Sequence, residues 1–226
     1  MFLEFLYQSY FVIFNALALL ISLKTYSKYF DTVLKYLPII LAYTLLNEIL
    51  GYFLLYYPSF RVFMDFDDSQ TNHIIYNLFD LVFFPYFYYV YYNLITQPRF
   101  KKIIAIGGGV MVCSYLVNAY FQNPMNYGLY IAYAIASLIL ILCIAFYFWE
   151  KYIQHNTIWQ KYNLAFWVSL GLLPLYSISP ALLLISYYNS KIWYEFEFQF
   201  ILHSLIILMD ILFIIGFSIC RKRAFQ

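Results

Sequence analysis

Long apolar runs separated by short polar joints dominate the sequence. A helix needs about 20 mostly apolar residues to cross the hydrocarbon core of a bilayer, which is roughly 30 Å thick. Such runs are far longer and more apolar than the alternating strands of about 10 residues that build membrane barrels. The pattern predicts an all-α integral membrane protein, a single domain over residues 1–226, with seven transmembrane helices at about 5–23, 36–57, 73–95, 103–121, 127–149, 164–188 and 198–220.

The composition supports a membrane protein and excludes several other classes. Hydrophobic residues make up 65% of the 226 residues and charged residues 11%, whereas a soluble domain carries about 25% charged residues. We therefore expect membrane lipids as partners and exclude a cytosolic enzyme and a secreted disulfide scaffold. The formal net charge of +2 is too small for a nucleic-acid partner.

The basic residues predict the orientation of the chain. Cytoplasmic loops of membrane proteins carry an excess of Lys and Arg, and all but two of the 13 basic residues fall on one side of the predicted topology. We therefore expect the N-terminus outside and the C-terminus in the cytoplasm. The two basic residues on the other side are Arg61 and Lys191.

The abundance of Ile, Phe, Tyr, Asn and Lys favours an AT-rich bacterial genome and hence the bacterial inner membrane.

Three acidic residues lie inside predicted spans, namely Glu48 in the second, Asp80 in the third and Asp210 in the seventh. Acidic side chains at membrane depth are energetically expensive, and by default they indicate a ligand, ion or proton site. At 1.5 Å per residue, Glu48 lies about 13 Å below the outer end of its span. These carboxyl groups are therefore candidate ligand- or proton-binding groups.

Other polar residues share helix faces with these acids. The third helix has a stripe at i, i+4 and i+7, and the seventh has one that repeats every four residues. The members of these stripes are His73, Asn77 and Asp80, and Glu195, Gln199 and His203 with Asp210 close to the same line. The pattern predicts an outward-facing polar pocket between helices two, three and seven, which Asn15 and Asn118 are placed to join. Its predicted binding residues are Glu48, Asn77, Asp80, His203 and Asp210.

Prolines and glycines mark irregular positions in three predicted helices. Pro174 and Pro180 each remove a backbone donor from the sixth helix, so a kinked or locally unwound segment is expected there. Pro85 kinks the third helix in the same way, and these three prolines are candidate hinges. The run Gly107-Gly108-Gly109 in the fourth helix predicts a close approach of a neighbouring helix.

One resemblance to a known family comes from the seven-span layout with an outside N-terminus, together with two short motifs. These motifs are Asn47-Glu48 in the second helix and Tyr76-Asn77-Leu-Phe-Asp80 in the third. In these features the chain resembles the seven-helix sensor modules that precede bacterial histidine kinases. No kinase, cyclase or response-regulator module follows Cys220. The resemblance therefore implies that output runs through a separate cytoplasmic or membrane protein partner at the inner loops.

The sequence leaves three classes of function open. The first is a sensor or partner-binding module in which a ligand or proton enters the pocket from outside. The second is a proton- or cation-coupled small transporter or channel that uses the same acids. The third is an intramembrane metal-dependent hydrolase resembling the seven-helix ceramidase-like enzymes, since imidazole and carboxylate ligands suit zinc. The metal ligands would then be His73, Asp80, His203 and Asp210.

Sequence motifs favour a protein that is not an enzyme. No HExxH, GxSxG or P-loop pattern occurs, which removes the commonest hydrolase and nucleotide-binding signatures. The cysteines show no CxxC spacing, so neither a disulfide nor a cysteine metal site is expected. The sequence assigns no catalytic residue and identifies no cofactor.

Overall fold

The computed structural model describes residues 10–56, 73–155 and 160–221. These residues are mainly helical, with no strand among them, and the all-α prediction is confirmed. Numbered in chain order, the helices are α1 (Phe11–Lys24), α2 (Leu37–Tyr56), α3 (His73–Leu94), α4 (Pro98–Phe121), α5 (Tyr130–His155), α6 (Leu164–Tyr188), α7 (Ser190–Glu195) and α8 (Phe198–Ile219). Two short 3-10 turns, Tyr26–Lys28 and Val33–Tyr36, lie between α1 and α2.

Some sequence predictions lie outside the described residues. They concern the first part of the predicted span 5–23 and three of the basic residues used to predict the orientation. Those three residues are Arg61, Lys222 and Arg223.

The apolar helices are those of a membrane-embedded, multi-pass protein. Five helical segments are long and apolar enough to cross a bilayer, and α1 is a shorter apolar helix. Helix α3 has 22 residues, but Asn77, Asp80 and its many tyrosines lower its hydropathy, and it is not one of the five. The five segments are Val33–Leu54, Pro98–Phe121, Tyr130–Gln154, Leu164–Tyr188 and Phe198–Ile219.

The long helices pack as a closed ring. Helix α1 packs on α2, α2 on α3, α3 on α4 and α5, α5 on α6, α6 on α8, and α8 on α1. Helices α1 and α8 run parallel, as contacts at both ends show. Near their first turns the ring centroids of Phe11 and His203 are 4.5 Å apart, and beyond the other end Lys28 Nζ donates to the Ser218 carbonyl at 3.1 Å. The first and last long helices of the described chain are therefore neighbours.

Two glycines allow α6 and α8 to approach each other closely. A Cβ atom on Gly216 would lie 2.6 Å from the Cβ of Trp167, and one on Gly171 would lie 2.9 Å from Cε1 of Phe213. Small residues at helix interfaces allow such close backbone approach in membranes. This contact fixes α8 against α6 and so helps to close the ring.

The glycine run of α4 makes the predicted close approach only at its first residue. A Cβ atom on Gly107 would lie 2.7 Å from Cγ2 of Ile139 on α5, whereas one on Gly109 would meet no atom within 4 Å. The absence of a side chain at Gly107 therefore allows α4 to pack closely on α5, whereas Gly109 has open space beside it.

A kinked or locally unwound segment was expected at Pro174 and Pro180, and α6 stays helical through both prolines, so the segment is not unwound. Ser179 is fully buried, and its hydroxyl pairs with that of Tyr133 on α5 at 2.8 Å. This bond ties α6 to α5 beside the position where Pro180 removes a backbone donor. Helix α3 likewise continues through Pro85.

The predicted polar stripe of the seventh span is wrong at its N-terminal end. Glu195 ends the short helix α7, and α8 begins only after Glu197, whose φ of 48° lies in the left-handed region. A non-glycine residue in this region interrupts regular helix. Glu195 and Gln199 are exposed, and they do not lead a continuous stripe towards His203.

Glu150 anchors α5 to the beginning of α4. Its side chain is only 2% exposed and accepts hydrogen bonds from the backbone N–H groups of Thr96 at 2.7 Å and Gln97 at 3.2 Å. The Thr96 hydroxyl and the Gln154 amide also donate to the same carboxylate. A carboxylate near the N-terminus of a helix is further stabilised by the helix dipole. The α3–α4 connection is thus fixed by one acidic side chain.

The connection after α1 is fixed at the same end of the bundle. Tyr29 is fully buried, its hydroxyl donates to the Ser22 carbonyl at 2.8 Å, and its ring lies 5.5 Å from that of Phe217 on α8. Burial raises the pKa of Tyr29 above its usual value, because the charged phenolate would lose its hydration. The Arg221 guanidinium lies 4.1 Å from the ring centroid of Tyr162.

Candidate ligand-binding cavity

A cavity of about 370 Å³ runs along the inside of the helix ring. Its walls come from α1, α2, α3, α5, α6 and α8. Along α3 it extends from His73 to Phe87, which is about 21 Å of helix length. Small-molecule sites commonly have volumes of about 300–1,000 Å³. The cavity is therefore elongated and large enough for a small organic ligand.

The acidic and imidazole side chains of this cavity lie towards one end, where apolar residues such as Phe11 and Leu202 also contribute to the wall. The polar end lies near the beginnings of α1, α3 and α8 and includes Asn15, Glu48, His73, Tyr76, Asp80 and His203. The apolar end lies deeper along α3 and α8 and near the beginning of α2, and it includes Leu37, Leu41, Phe83, Phe87, Met209 and Phe213. Such an arrangement suits a ligand with a polar group at one end and an apolar body.

Glu48 and Asp80 each accept one hydrogen bond from a tyrosine. The Tyr76 hydroxyl donates to Oε2 of Glu48 at 3.2 Å, and the Tyr115 hydroxyl donates to Oδ2 of Asp80 at 3.0 Å. A carboxylate has about four acceptor positions. Each tyrosine orients its carboxyl group and leaves acceptor capacity on the side that faces the cavity.

Asn77 is occupied by the connection between α4 and α5. Its amide nitrogen donates to the carbonyls of Pro124 at 2.8 Å and Tyr127 at 3.0 Å, and its amide oxygen accepts from the Leu129 N–H at 3.0 Å. Although Asn77 lines the cavity, three backbone partners engage its amide. The structure therefore gives Asn77 a role in fixing this connection.

The two histidines of the predicted site lie on opposite walls. The His73 ring packs edge-on against Tyr130 with centroids 6.1 Å apart, and the His203 ring packs edge-on against Tyr10 at 5.5 Å. Within residues 10–56, 73–155 and 160–221, no group of three or more His, Cys, Asp or Glu side chains is placed to hold a metal ion. The proposed metal ligands His73, Asp80, His203 and Asp210 do not converge.

Asp210 differs from the other two acids. It is fully buried on α8 and does not belong to the cavity wall, although Glu48 is near enough to interact with it electrostatically. Neither carboxyl oxygen of Asp210 has a hydrogen-bond partner among the described residues. A buried carboxyl group in this state is energetically unfavourable, so Asp210 is a strained member of the bundle core.

The two asparagines that were expected to join the pocket differ in their bonding. Asn118 accepts from the Ala132 N–H at 3.1 Å and donates to Gln122 at 2.8 Å, so it fixes the α4–α5 connection. Asn15 lines the cavity and is 1% exposed. Its side-chain oxygen has no partner within the described part of the chain. Asn15 thus presents an unpaired acceptor at the polar end.

Sequence reasoning missed the two tyrosines that hold the carboxyl groups. Tyr76 lies four residues before Asp80 on α3, a spacing that places both on one helix face, and this spacing was available as a signal. Tyr115 comes from α4 and reaches Asp80 only because α3 and α4 pack together. No local pattern in the sequence indicates that second contact.

No protein-family model matches this chain, and no curated protein or solved structure does so either. The functional argument therefore rests on the geometry of the cavity and of the helices around it.

Proposed function

We propose that this protein is a membrane sensor or partner-binding module whose central cavity takes up a small ligand. The observation that carries this proposal is the 370 Å³ cavity, in which Glu48 and Asp80 each keep acceptor capacity beyond a single tyrosine bond. Buried polar groups in stable proteins are normally paired. Acceptors left available inside a cavity are therefore the groups that a ligand would satisfy.

The proposal includes seven spans in the cytoplasmic membrane, with the N-terminus outside and the C-terminus in the cytoplasm. With 22 residues, α3 is about 33 Å long, which is sufficient to cross a core of roughly 30 Å. The parallel orientation of α1 and α8 fits a first and a seventh span. Reporter fusions after Lys28 and after Lys191 test the topology, with activity expected on the cytoplasmic side only for the first; the reverse result would contradict this orientation.

In this proposal, ligand binding is signalled to a protein partner on the side of the membrane that carries most of the Lys and Arg residues, and the prolines act as hinges. Each proline leaves one helical carbonyl without its usual donor and so weakens resistance to bending. Pro85, Pro174 and Pro180 all lie within continuous helices. Replacing Pro174 and Pro180 by Ala is expected to preserve ligand retention while abolishing cross-linking of the partner in response to ligand. If ligand still promoted cross-linking of the partner in this variant, the prolines would not act as hinges.

Native mass spectrometry of protein purified from the organism that encodes it tests the ligand site. The wild type is expected to retain a small molecule that Glu48→Gln/Asp80→Asn protein loses. Glu195→Gln is the matched control, because Glu195 is exposed at the end of α7. Retention of the same molecule by all three proteins, or by none, would contradict the proposed site.

Asp210 favours a second function, namely proton- or cation-coupled transport. Its carboxyl group is buried and unpaired among the described residues, and intramembrane acids of this kind occur in proton and ion pathways. Flux into proteoliposomes driven by a pH gradient is expected to be lost in Asp210→Asn if transport is the function. Flux that does not respond to the gradient would exclude coupling.

A further inference from the structure

The polar end of the cavity carries two acidic side chains among its hydrogen-bonding groups. Glu48 and Asp80 contribute two carboxyl groups, and none of the described lining residues is Lys or Arg. The basic side chains in this wall are the imidazoles of His73 and His203. Asp210, within electrostatic reach of Glu48, adds a third carboxyl group behind the wall. A ligand that brings positive charge would complement this distribution.

Three hydroxyl groups in or beside the cavity wall are already engaged as donors. Tyr76 donates to Glu48 and Tyr115 donates to Asp80, and Thr44 on the α2 wall donates to the Ile40 carbonyl at 2.9 Å. These three hydroxyls are therefore not available to donate to an anionic or acceptor-rich ligand. A ligand that donates hydrogen bonds would find the spare lone pairs of both carboxyls.

Asn15 gives an independent indication of the same preference. Its side-chain oxygen is an acceptor, the residue is 1% exposed, and no described residue donates to that oxygen. The residue lines the cavity on the α1 wall. Leaving such a group unpaired is energetically unfavourable, and because this oxygen is enclosed, a ligand donor reaches it when the Asn15 side chain turns towards the cavity.

The middle and apolar end of the cavity present aromatic rings. Phe83 packs against Phe87 with centroids 4.7 Å apart and against Tyr176 at 5.3 Å, which holds these rings as one rigid wall. Ring faces attract cations, more strongly where water is excluded. The same rings also accommodate an apolar body. The cavity thus offers sites for both parts of an amphiphilic cation.

We propose that the cavity binds an organic cation, an ammonium group attached to an apolar or aromatic body, with Glu48 and Asp80 as its counter-ions and Asn15 as a further acceptor. This inference rests on the proposed function of the cavity as a ligand site. The ammonium donates to the polar end, and the body extends along α3 towards Phe87. Free organic cations and lipids with an ammonium headgroup share this chemistry.

Equilibrium dialysis of the full chain in nonionic detergent tests the charge preference with three probes of the same body. Phenylbutylammonium is expected to bind saturably, whereas phenylbutanol and phenylbutanoate are not. Glu48→Gln and Asp80→Asn, made separately, are each expected to weaken cation binding at least tenfold. Glu195→Gln is expected to bind as the wild type does. Asp80→Glu, which keeps the charge, is expected to retain saturable cation binding, and circular dichroism melting confirms that every variant is folded.

The outcomes separate this inference from the function on which it rests. Saturable binding of phenylbutanol or phenylbutanoate equal to that of the cation would overturn the organic-cation assignment. If the cavity-filling variant Ile206→Trp then abolished that binding, the cavity would remain a ligand site. If none of the probes bound saturably and Ile206→Trp retained the same co-purified molecules as the wild type, both proposals would fail.

The source of the ammonium group is tested by competition. Phosphatidylethanolamine added to the dialysis is expected to displace phenylbutylammonium if the natural ligand is a lipid headgroup, and to leave it bound if the ligand is a free cation. Either result supports an ammonium site and assigns its source. Displacement by phosphatidylglycerol, which carries no ammonium, to the same extent would overturn the assignment.

Discussion

Two regions of the bundle use carboxyl groups in opposite ways. At the end that holds the α3–α4 connection, Glu150 accepts hydrogen bonds from Thr96, Gln97 and Gln154. At the polar end of the cavity, Glu48 and Asp80 each accept one bond from a tyrosine. The residue types are the same, but the partners differ in number and kind.

This difference separates a structural acid from a candidate binding acid. A carboxylate whose acceptor positions are filled by backbone N–H groups stabilises the fold and has little capacity left for a ligand. A carboxyl group with one partner contributes less to stability, because fewer hydrogen bonds offset the hydration that it loses in the fold. The number of filled acceptor positions is therefore a better guide to function than depth in the membrane.

The largest loss of stability is expected from Glu150→Ala. The substitution leaves the backbone N–H groups of Thr96 and Gln97 without their acceptor, and hydrogen bonds to charged groups contribute about 1.5–3 kcal/mol each. We expect the free energy of unfolding to fall by about 3 kcal/mol or more. Titration from nonionic detergent into SDS measures it, with Glu195→Ala as the exposed control. If the two variants were equally stable, Glu150 would contribute no more to the fold than an exposed acid does, which would contradict the difference between the two regions.

A smaller but clear loss is expected from Gly216→Ala. The added Cβ would lie 2.6 Å from the Cβ of Trp167, and overpacking of this kind costs about 1–3 kcal/mol. Gly109→Ala is the matched control, because a Cβ there meets no atom within 4 Å. The same unfolding titration is expected to separate the two variants. A Gly216→Ala protein as stable as Gly109→Ala would show that α6 and α8 are not closely packed.

Asn77→Ala is expected to destabilise the protein by about 2 kcal/mol while leaving cation binding within threefold of the wild type. The loss comes from the three backbone bonds that hold the α4–α5 connection, at about 0.5–1 kcal/mol for each bond. Unfolding titration and dialysis measure the two effects. Loss of binding without loss of stability would instead assign Asn77 to the binding site.

The smallest effect on stability is expected from Glu48→Gln and Asp80→Asn. Each variant removes a half-buried acid with one side-chain partner and leaves a neutral amide of similar shape, so the free energy of unfolding is expected to change by less than about 1 kcal/mol. Ligand retention, by contrast, is expected to be lost. A destabilisation as large as that of Glu150→Ala would mean that these acids serve the fold.

The helices were predictable because their signal is local. The predicted span 36–57 corresponds to α2 at Leu37–Tyr56, and the predicted 73–95 corresponds to α3 at His73–Leu94. Boundaries differed where charged residues begin or end a helix. Helix α4 starts at Pro98 rather than about 103, because a helix continues past Lys101 and Lys102 whereas a hydropathy window stops there. Apolar length locates the middle of a helix better than its ends.

The only features of the candidate site that could be predicted were those that follow from which residues share a helix face. Glu48, Asp80 and His203 were found as polar residues at depth, and all three line one cavity. The bonds of Asn77 and the acceptor role of Glu150 depend on connections that lie about 50 residues away in the chain. These partners are brought together by the packing of the helices into a ring, and no periodic pattern in the sequence indicates them.

The contact between Lys28 and Ser218 joins residues that are 190 positions apart, and it places a constraint on biosynthesis. A ribosome extends the chain by about 5–20 residues per second, so α1 waits roughly 10–40 s for its neighbour α8. During that interval the face that carries Asn15 has no ring to enclose it. The ring around this face, and with it the cavity wall that α8 contributes, is complete only when α8 has been inserted.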